Sequence, residues 1–190
     1  MSNQIGKPER ASQNRVIQFF QDELGYTYLG DWEEEIRTQP IEEDLLYQYL
    51  TKNNRYSSEL AQKAVDALVK AATNLSDDLY EANKEVYKLL RYGVTVREEL
   101  GQPKETVWLI DWKNTKNNDF AVAEEVTVAG KHTKRPDVVL FVNGIAIGVI
   151  ELKRSKVGVE EGIRQNLDNQ KPEFIEKFFT TMQLVMAGND

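Results

Sequence analysis

The sequence contains no cysteine and a single histidine among its 190 residues. Without cysteine the chain can form neither a disulfide bond nor a thiolate metal site, which is consistent with the reducing conditions of the cytoplasm. No apolar run preceded by positive charge stands at the N-terminus, and no stretch approaches the roughly 20 apolar residues that a membrane span needs. We therefore expect a cytoplasmic protein that has no membrane partner.

A phosphate loop with the pattern Gly-x-x-x-x-Gly-Lys-Ser/Thr is also absent from the sequence. Because the N–H groups and the lysine of that loop hold the phosphates of a nucleotide, its absence excludes an ATP-driven motor within this chain. The overall composition, with 41% hydrophobic and 29% charged residues, is ordinary for a globular protein. A chain of this length can bury one sizeable core, alone or with a helical annex.

Charge is distributed unevenly along the chain. The net charge of −7 argues against a free-standing DNA-binding protein, because affinity for phosphate groups comes from lysine and arginine. Between Lys131 and Lys156, however, six basic residues accompany two carboxylates, which gives this segment a net charge of +4. The segment is either a binding surface for an anionic substrate or a chance cluster in a solvated loop.

Residues 1–104 are predicted to be mainly helical. Apolar residues recur there at helical spacing, between serine, glycine and asparagine residues of the kind that begin or end helices. The predicted helices are Glu9–Leu24, Ile41–Asn53, one that begins at Ser57 or Ser58, and one that is capped by Ser76 and ends at Gly93. We interpret their apolar stripes as core faces that carry no chemistry.

Residues 105–190 consist of short segments rich in β-branched and aromatic residues, which are typical of strands. The predicted strands are Thr106–Trp112, Phe120–Val128, Val138–Val142, Ile145–Leu152 and Met182–Ala187, with helices at Val159–Asn169 and Pro172–Phe179. Two of the strands, Val138–Val142 and Ile145–Leu152, are apolar on both faces and so are expected at the centre of a covered sheet. This order of elements predicts an α/β fold in a single domain, with its core in residues 105–190.

Candidate catalytic residues flank these two central strands. Asp137 follows Pro136, and after thirteen further residues come Glu151 and Lys153, which point to the same face of a strand. If the hairpin brings Asp137 alongside, two carboxylates and one ammonium group converge, which suffices for a Mg²⁺ site completed by water and a phosphate oxygen. Such an ion polarises a phosphodiester and lowers the pKa of a bound water. The trio therefore indicates a metal-dependent nuclease, with a solvated group of charges at the strand ends as the alternative.

The register of the hairpin decides whether these groups meet. Asn143-Gly144 is the strongest short signal for a two-residue turn, which would pair Val142 with Ile145 and place Asp137 on the opposite face from Glu151. We therefore predict a three-residue loop with a left-handed glycine, in which Phe141 pairs with Ile145. A bulge elsewhere in the hairpin is the alternative that would also restore the shared face.

Several segments carry a resemblance to a known family. They are QNRVIQFFQDELGYTYLGDW, LYEANKEVYKLLRYGVTV, NDFAVAEEVTV, KRPDVVLFVNGIAIGVIELKRS and GIRQNLDNQ. Together they resemble the N-terminal nuclease domain of the restriction (R) subunit of type I restriction enzymes, over the chain from Gln13 to its end. Asp137 and Glu151-Leu152-Lys153 resemble the PD-(D/E)xK motif of that family.

The resemblance implies a restriction-endonuclease-like mixed sheet flanked by helices, with an N-terminal helical region. It implies Mg²⁺ held by Asp137 and Glu151, a catalytic Lys153, and double-stranded DNA as the substrate. It further implies that this chain is a fragment of a longer subunit, whose C-terminal helicase-like motor would use ATP. Modification and specificity subunits of the restriction complex would be its partners.

The helix after the motif departs from the pattern Gln-x-x-x-Tyr that many members of this family show. Gln165 is present, but Asn169 occupies the position of the tyrosine on the same helix face. We predict a supporting catalytic role for Gln165 and assign none to Asn169. Predicted contacts to the DNA backbone are Lys134, Arg135, Arg154 and Lys156, and weaker candidates for a site role are His132, Asp119 and Glu9.

Two other functions stay open at this point. A non-catalytic module that uses a nuclease fold for DNA contact or subunit docking is compatible with the missing tyrosine and with the negative net charge. A free-standing repair or transposon nuclease would share the motif, but the upstream helical segments disfavour it. The intact trio of Asp137, Glu151 and Lys153 favours an enzyme.

Overall fold

The computed structural model describes residues 7–52, 55–74, 78–154 and 156–189, without the side chains of residues 7–9. Within these residues the helices are α1 (Lys7–Asp22), α2 (Glu43–Thr51), α3 (Ser58–Thr73), α4 (Leu79–Tyr92) and α5 (Val159–Asn169). The strands are β1 (Thr27–Asp31), β2 (Val94–Val96), β3 (Glu105–Val107), β4 (Phe120–Glu124), β5 (Val138–Val142), β6 (Ile145–Lys153) and β7 (Leu184–Asn189). Short 3-10 helices cover Thr115–Asn117 and Glu176–Thr181.

A mixed sheet with the strand order β1-β4-β5-β6-β7 forms the centre of the fold. β4, β5 and β6 are antiparallel, whereas β1 lies parallel to β4 and β7 lies parallel to β6. Every residue of β5 is buried, because helices or loops cover both faces of the sheet. The predicted α/β fold, a mixed sheet flanked by helices with an N-terminal helical region, is confirmed.

The two faces of the sheet are covered by different elements. α1 packs on one face, where Ile17 lies in a cluster with Ile150 and Leu152 of β6. Ile175 belongs to the apolar cluster of the other face, and α5 lies there against β6 and β7. Because side chains alternate along a strand, Glu151 points to the α5 side between two residues that point to α1.

The helices α2, α3 and α4 pack at one end of the sheet. Their buried side chains form a cluster with Val142 and Ile145, which flank the turn between β5 and β6. Asp137 and Glu151 lie at the opposite end of the same two strands, away from this cluster. The helical region therefore secures the turn end of the hairpin and leaves the other end to the candidate site.

Local capping explains where the helices begin. The Ser57 side chain accepts a hydrogen bond from Leu60 N at 3.3 Å, as the sequence predicts for the start of α3. α4 is capped by Asp78, whose Oδ1 accepts from Glu81 N at 2.9 Å. Ser76, the predicted cap, lies outside the described residues, as does Asn53. α5 spans the predicted range Val159–Asn169.

Several predicted elements are shorter than the sequence suggests. The strand predicted at Thr106–Trp112 ends after Val107, because the next main-chain groups bond to side chains: Leu109 O accepts from Asn143 Nδ2 and Asp111 N donates to Asn118 Oδ1, both at 2.8 Å. The strand predicted at Phe120–Val128 ends at Glu124, because Glu125 has a left-handed conformation with φ 51°. In both places tertiary contacts override a local preference for strand.

The helix predicted at Pro172–Phe179 is wrong. This segment forms turns and a 3-10 helix, with hydrogen bonds between residues three apart, such as Phe178 N to Ile175 O at 2.8 Å. The sequence analysis also missed β1 and β2. β1 is an edge strand whose pairing is interrupted by a bulge at Leu29, between Tyr28 and Gly30, so its apolar pattern is weak.

The β5–β6 hairpin closes with the tight two-residue turn, and the predicted three-residue loop is wrong. Asn143 and Gly144 have φ angles of 54° and 81°, and Val142 pairs with Ile145. The pairing then shifts, from Phe141↔Ala146 to Leu140↔Gly148, so that Ile147 is an extra residue in β6. This bulge returns Asp137 to the face of Glu151, because Val138 now pairs with Ile150.

Tertiary contacts select the tight turn. Glu42 N donates to Gly144 O at 2.8 Å, and a Cβ on Gly144 would lie only 2.7 Å from Glu42 O. The turn therefore packs closely against the start of α2. Asn143 exchanges hydrogen bonds with the Asp119 main chain and is only 1% exposed. A longer loop would not fit between these groups.

Candidate active site

Asp137 and Glu151 lie opposite each other at the open end of the β5–β6 hairpin, on the face covered by α5. Their position follows from the pairing of Val138 with Ile150 one residue earlier. Glu151 is completely buried, while Asp137 is half-buried at the entrance of β5. The bulge in β6 is therefore what brings the two carboxylates together.

Hydrogen bonds fix the orientation of these groups. Asp137 Oδ2 accepts a hydrogen bond of 2.6 Å from Leu152 N. Lys153 Nζ donates to Glu151 Oε1 at 2.6 Å and to Gln165 Oε1 at 2.8 Å. The structure thus brings together the four residues for which the sequence predicts catalytic roles, namely Asp137, Glu151, Lys153 and Gln165.

The second carboxylate oxygen of Glu151 stands out in this arrangement. Glu151 Oε2 is buried and has no hydrogen-bond partner. The pKa of Glu151 is raised to about 7, chiefly by burial and then by the negative charge of Asp137, while Lys153 acts in the opposite direction. An unpaired, buried carboxylate oxygen is costly, and a cation bound between the two acids would offset that cost.

The donor set fits a hard cation such as Mg²⁺. Two carboxylates are enough for this ion, which keeps several of its waters when bound to protein. Over its described residues the structure contains no group of three or more histidine, aspartate or glutamate side chains arranged to hold a metal. Asp137 and Glu151 are the carboxylates that lie in position to hold such an ion.

α5 approaches the site closely because of Gly162. A Cβ on this glycine would lie 3.0 Å from Ala187 Cβ, 3.5 Å from Lys153 Cγ and 3.6 Å from Glu151 Cγ. Gln165, one turn further along α5, then reaches the Lys153 ammonium group. The small residue at position 162 thus sets the distance from which α5 supports the site.

Asn169 lies on the same helix but takes no visible part in the site. It is 1% exposed, and neither its side-chain nitrogen nor its side-chain oxygen has a hydrogen-bond partner. Asn166, on the same side of α5, donates to Met186 O at 2.8 Å. Asn169 is therefore a buried side chain and not part of a solvated polar face.

The predicted DNA contacts differ in their surroundings. Arg135 is engaged in ion pairs with Glu33 and Glu125. Lys134 is half-buried with its Nζ 4.2 Å from the centre of the Phe174 ring. Arg154 is half-buried and Lys156 is exposed.

The weaker candidates lie away from the carboxylate pair. His132 lies beside Phe174, with its main-chain N–H bonded to Glu173 O. Asp119 is near the turn end of the hairpin, where it forms an ion pair of 2.9 Å with Lys52. The side chain of Glu9 lies outside what the structure describes.

A polar network on the α1 face was missed by the sequence analysis. Glu124, which is 5% exposed, accepts hydrogen bonds from Gln13 Nε2 at 2.9 Å, Arg10 Nη2 at 3.2 Å and the Tyr28 hydroxyl at 2.5 Å. Burial, together with the bond to Glu124, raises the pKa of Tyr28 to about 12. No local signal could have revealed this network, because Gln13 and Glu124 are 111 positions apart in the sequence.

Comparison with known sequences identifies relatives of this chain. The family model described as "Type I restriction enzyme R protein N terminus" matches residues 7–190. The "Type I restriction enzyme HindI endonuclease subunit" of Haemophilus influenzae is 35% identical over 142 residues, and the "Putative type I restriction enzyme MjaVIIIP endonuclease subunit" of Methanocaldococcus jannaschii is 28% identical over 179 residues. The "Type I restriction enzyme EcoprrI endonuclease subunit" of Escherichia coli is 32% identical over 87 residues.

These matches cover much of this chain but little of the relatives. The first two span 70% and 89% of this chain but only 13% and 16% of the relatives' own length, and the third spans 45% of this chain and 28% of its relative.

No helix in the described part of the chain combines the length and the apolar character needed to cross a membrane.

Proposed function

The chain belongs to the family of type I restriction enzyme R protein N-termini. We propose that it is a magnesium-dependent nuclease domain that hydrolyses phosphodiester bonds of double-stranded DNA. The observation that carries this proposal is the pair of converging carboxylates, in which the buried Glu151 Oε2 has no partner. An unpaired, buried carboxylate oxygen costs more than the unpaired amide atoms of Asn169, because the charged form of the acid is removed from water beside a second acid.

Asp137 and Glu151 are the proposed Mg²⁺ ligands. The ion would polarise the phosphodiester and lower the pKa of the attacking water. The pKa of Glu151 is raised to about 7, so part of the protein carries a proton on this residue near neutral pH, and the ionised form is repelled by Asp137. A cation held by the two carboxylates would offset this repulsion and would favour the ionised form of Glu151.

Lys153 is the proposed catalytic cation. Its ammonium group has three N–H donors, of which one is bonded to Glu151 Oε1 and one to Gln165 Oε1. The remaining donor can orient the water or stabilise the negative charge that grows on the phosphate during attack. Gln165 supports this role by fixing the direction in which the ammonium group points.

DNA is proposed to approach through the basic segment around the site. Lys134, Arg154 and Lys156 would contact phosphates, which position the duplex without reading its sequence. Arg135 would have to exchange its ion pairs with Glu33 and Glu125 before it could do the same. Because the chain carries a net charge of −7, we expect it to bind DNA weakly by itself.

The remainder of a type I restriction enzyme would supply what this domain does not contain. We propose that modification and specificity subunits, together with a C-terminal helicase-like motor that uses ATP, deliver DNA to the site. The isolated chain is accordingly expected to cut DNA slowly or not at all. Efficient, sequence-specific cutting of linear DNA by these 190 residues alone would contradict this part of the proposal.

A non-catalytic docking or DNA-contact module remains the second candidate, favoured by the negative net charge and by a buried asparagine at position 169. Calorimetric titration of the chain with Mg²⁺ separates the two functions. We expect binding heat from the wild type and none from Glu151→Gln, with Glu161→Gln as a control that removes an exposed carboxylate of α5. Absence of heat from the wild type, or equal heat from Glu151→Gln, would favour the docking module.

A further inference from the structure

The main chain of Asp137 is held within the sheet by the end of β4, and from the face opposite to the carboxylate pair by Gln13. Its carbonyl oxygen accepts a hydrogen bond from Glu125 N at 2.9 Å and another from Gln13 Nε2 at 3.3 Å. The side chain of Asp137 meanwhile accepts from Leu152 N on the α5 side. Contacts on both faces of the sheet therefore determine where this residue lies.

Gln13 uses its side-chain amide as a bridge. The group is 3% exposed and donates both to Glu124 Oε2, at 2.9 Å, and to Asp137 O. Because both neighbours are acceptors, only the NH₂ end of the amide can face them, and its two protons serve one acceptor each. Glutamate would be the same size at this position, but it would bring a second carboxylate against Glu124 and donate to neither.

Glu124 gives the bridge a fixed anchor. Arg10 and the Tyr28 hydroxyl bond to the same carboxylate, so that it is buried with donors around it. The next residue, Glu125, continues the β4–β5 pairing with its N–H bonded to Asp137 O, and its left-handed conformation, which glycine usually takes, ends the strand there. Such a conformation persists only where its surroundings enforce it.

We propose that Gln13 is a positioning residue for Asp137: its amide, anchored on Glu124, holds the Asp137 main chain so that the carboxylate faces Glu151. The inference rests on the proposed function, in which Asp137 is a metal ligand. Gln13 itself touches neither the metal position nor the substrate, and it acts from the far side of the sheet. Through Gln13, α1 would therefore help to set the geometry of the site.

The amide proton of Leu152 reports the position of the Asp137 carboxylate directly, because it donates to Asp137 Oδ2 at 2.6 Å. In nuclear magnetic resonance spectra of the metal-free chain, we expect Gln13→Met to move this signal upfield. Hydrogen exchange at Leu152 should become about fivefold faster or more, the change that corresponds to loss of one net hydrogen bond. Gln18→Met, the same replacement at an exposed position of α1, should change neither quantity.

A double variant separates positioning from simple stabilisation. Gln13→Glu combined with Glu124→Gln restores one amide and one carboxylate between α1 and β4, and Arg10 keeps an acidic partner. No N–H group at position 13 then faces Asp137 O. We expect the double variant to regain part of the melting temperature that Gln13→Met loses, while the Leu152 signal stays displaced.

An unchanged Leu152 signal in Gln13→Met, or a signal restored in the double variant, would overturn the positioning role. If Gln13→Met does not fold, the double variant alone decides. Calorimetry with Mg²⁺ on the same proteins keeps the two proposals distinct. A wild type without Mg²⁺ heat refutes the proposed function, whereas the Leu152 signal tests the role of Gln13 whether or not the metal binds.

Discussion

Each end of the β5–β6 hairpin buries a polar side chain, but the two side chains differ in how many of their hydrogen bonds are formed. At the turn end, Asn143 is 1% exposed and its amide donates to Leu109 O and Asn118 Oδ1 while its oxygen accepts from Asp119 N. At the open end, Glu151 is equally buried but has one oxygen without a partner and a pKa raised to about 7.

This contrast distinguishes polar burial that stabilises from polar burial that is kept for function. A buried group with all its hydrogen bonds contributes to stability, whereas a buried group left incomplete lowers it. Proteins tolerate a buried polar group without all its hydrogen bonds at sites where a bound ligand supplies the missing interaction. We therefore expect substitutions at the open end of the hairpin to change cleavage and substitutions at the turn end to change stability.

The largest expected effect is on cleavage. Asp137→Asn keeps an acceptor for Leu152 N but removes a charged metal ligand, so we expect DNA cleavage by the assembled enzyme to fall by about 100-fold or more. The metal-free melting temperature should stay the same or rise, because the repulsion of Glu151 is relieved. A clearly lower melting temperature in EDTA would show that Asp137 is instead a structural residue.

Asn143→Ala should show the converse behaviour. The variant loses three buried side-chain hydrogen bonds and places alanine at a positive φ angle, so we expect the free energy of unfolding to fall by about 3 kcal/mol or more. Urea denaturation measures this change. Asn117→Ala, at an exposed position, is the control. A loss below about 1 kcal/mol would remove the contrast between the two ends.

The stability of the metal-free protein should depend on pH through Glu151. Its folded pKa of about 7 lies above its ordinary value of 4.5, so the folded state binds the proton more tightly than the unfolded state. The contribution of protonated Glu151 to the free energy of unfolding is therefore fully present below about pH 4.5. It is lost as the pH rises through about 7.

Melting temperatures in EDTA between pH 5 and 7.5 measure this dependence. The wild type should lose stability relative to Glu151→Gln as the pH rises, because the variant has no proton to release. Parallel curves for the two proteins would show that Glu151 does not titrate in this range.

The smallest effect on stability is expected at Gly162. An alanine there gains about 1 kcal/mol of helix propensity, but its Cβ lies 3.0 Å from Ala187 Cβ and pushes α5 outward. We expect the two contributions to cancel within about 1 kcal/mol. Cleavage should still fall several-fold, because Gln165 moves away from Lys153, and unchanged cleavage would show that the distance of α5 is not critical.

Local sequence signals gave correct answers where one segment decides its own structure. The range of α5, the Ser57 cap and the strands β5 and β6 follow from periodicity and capping residues. Asn143-Gly144 also predicts the tight turn correctly, and the three-residue loop predicted from the site geometry is wrong because a bulge in β6 restores the shared face instead.

The sequence by itself determined the α/β fold, the central hairpin and the shared face of Glu151 and Lys153, because apolar patterns and strand alternation act over a few residues. Only the tertiary structure decided the bulge at Ile147, since strands apolar on both faces tolerate either register. It alone also paired Gln13 with Glu124, because residues 111 positions apart meet only when α1 packs on the sheet.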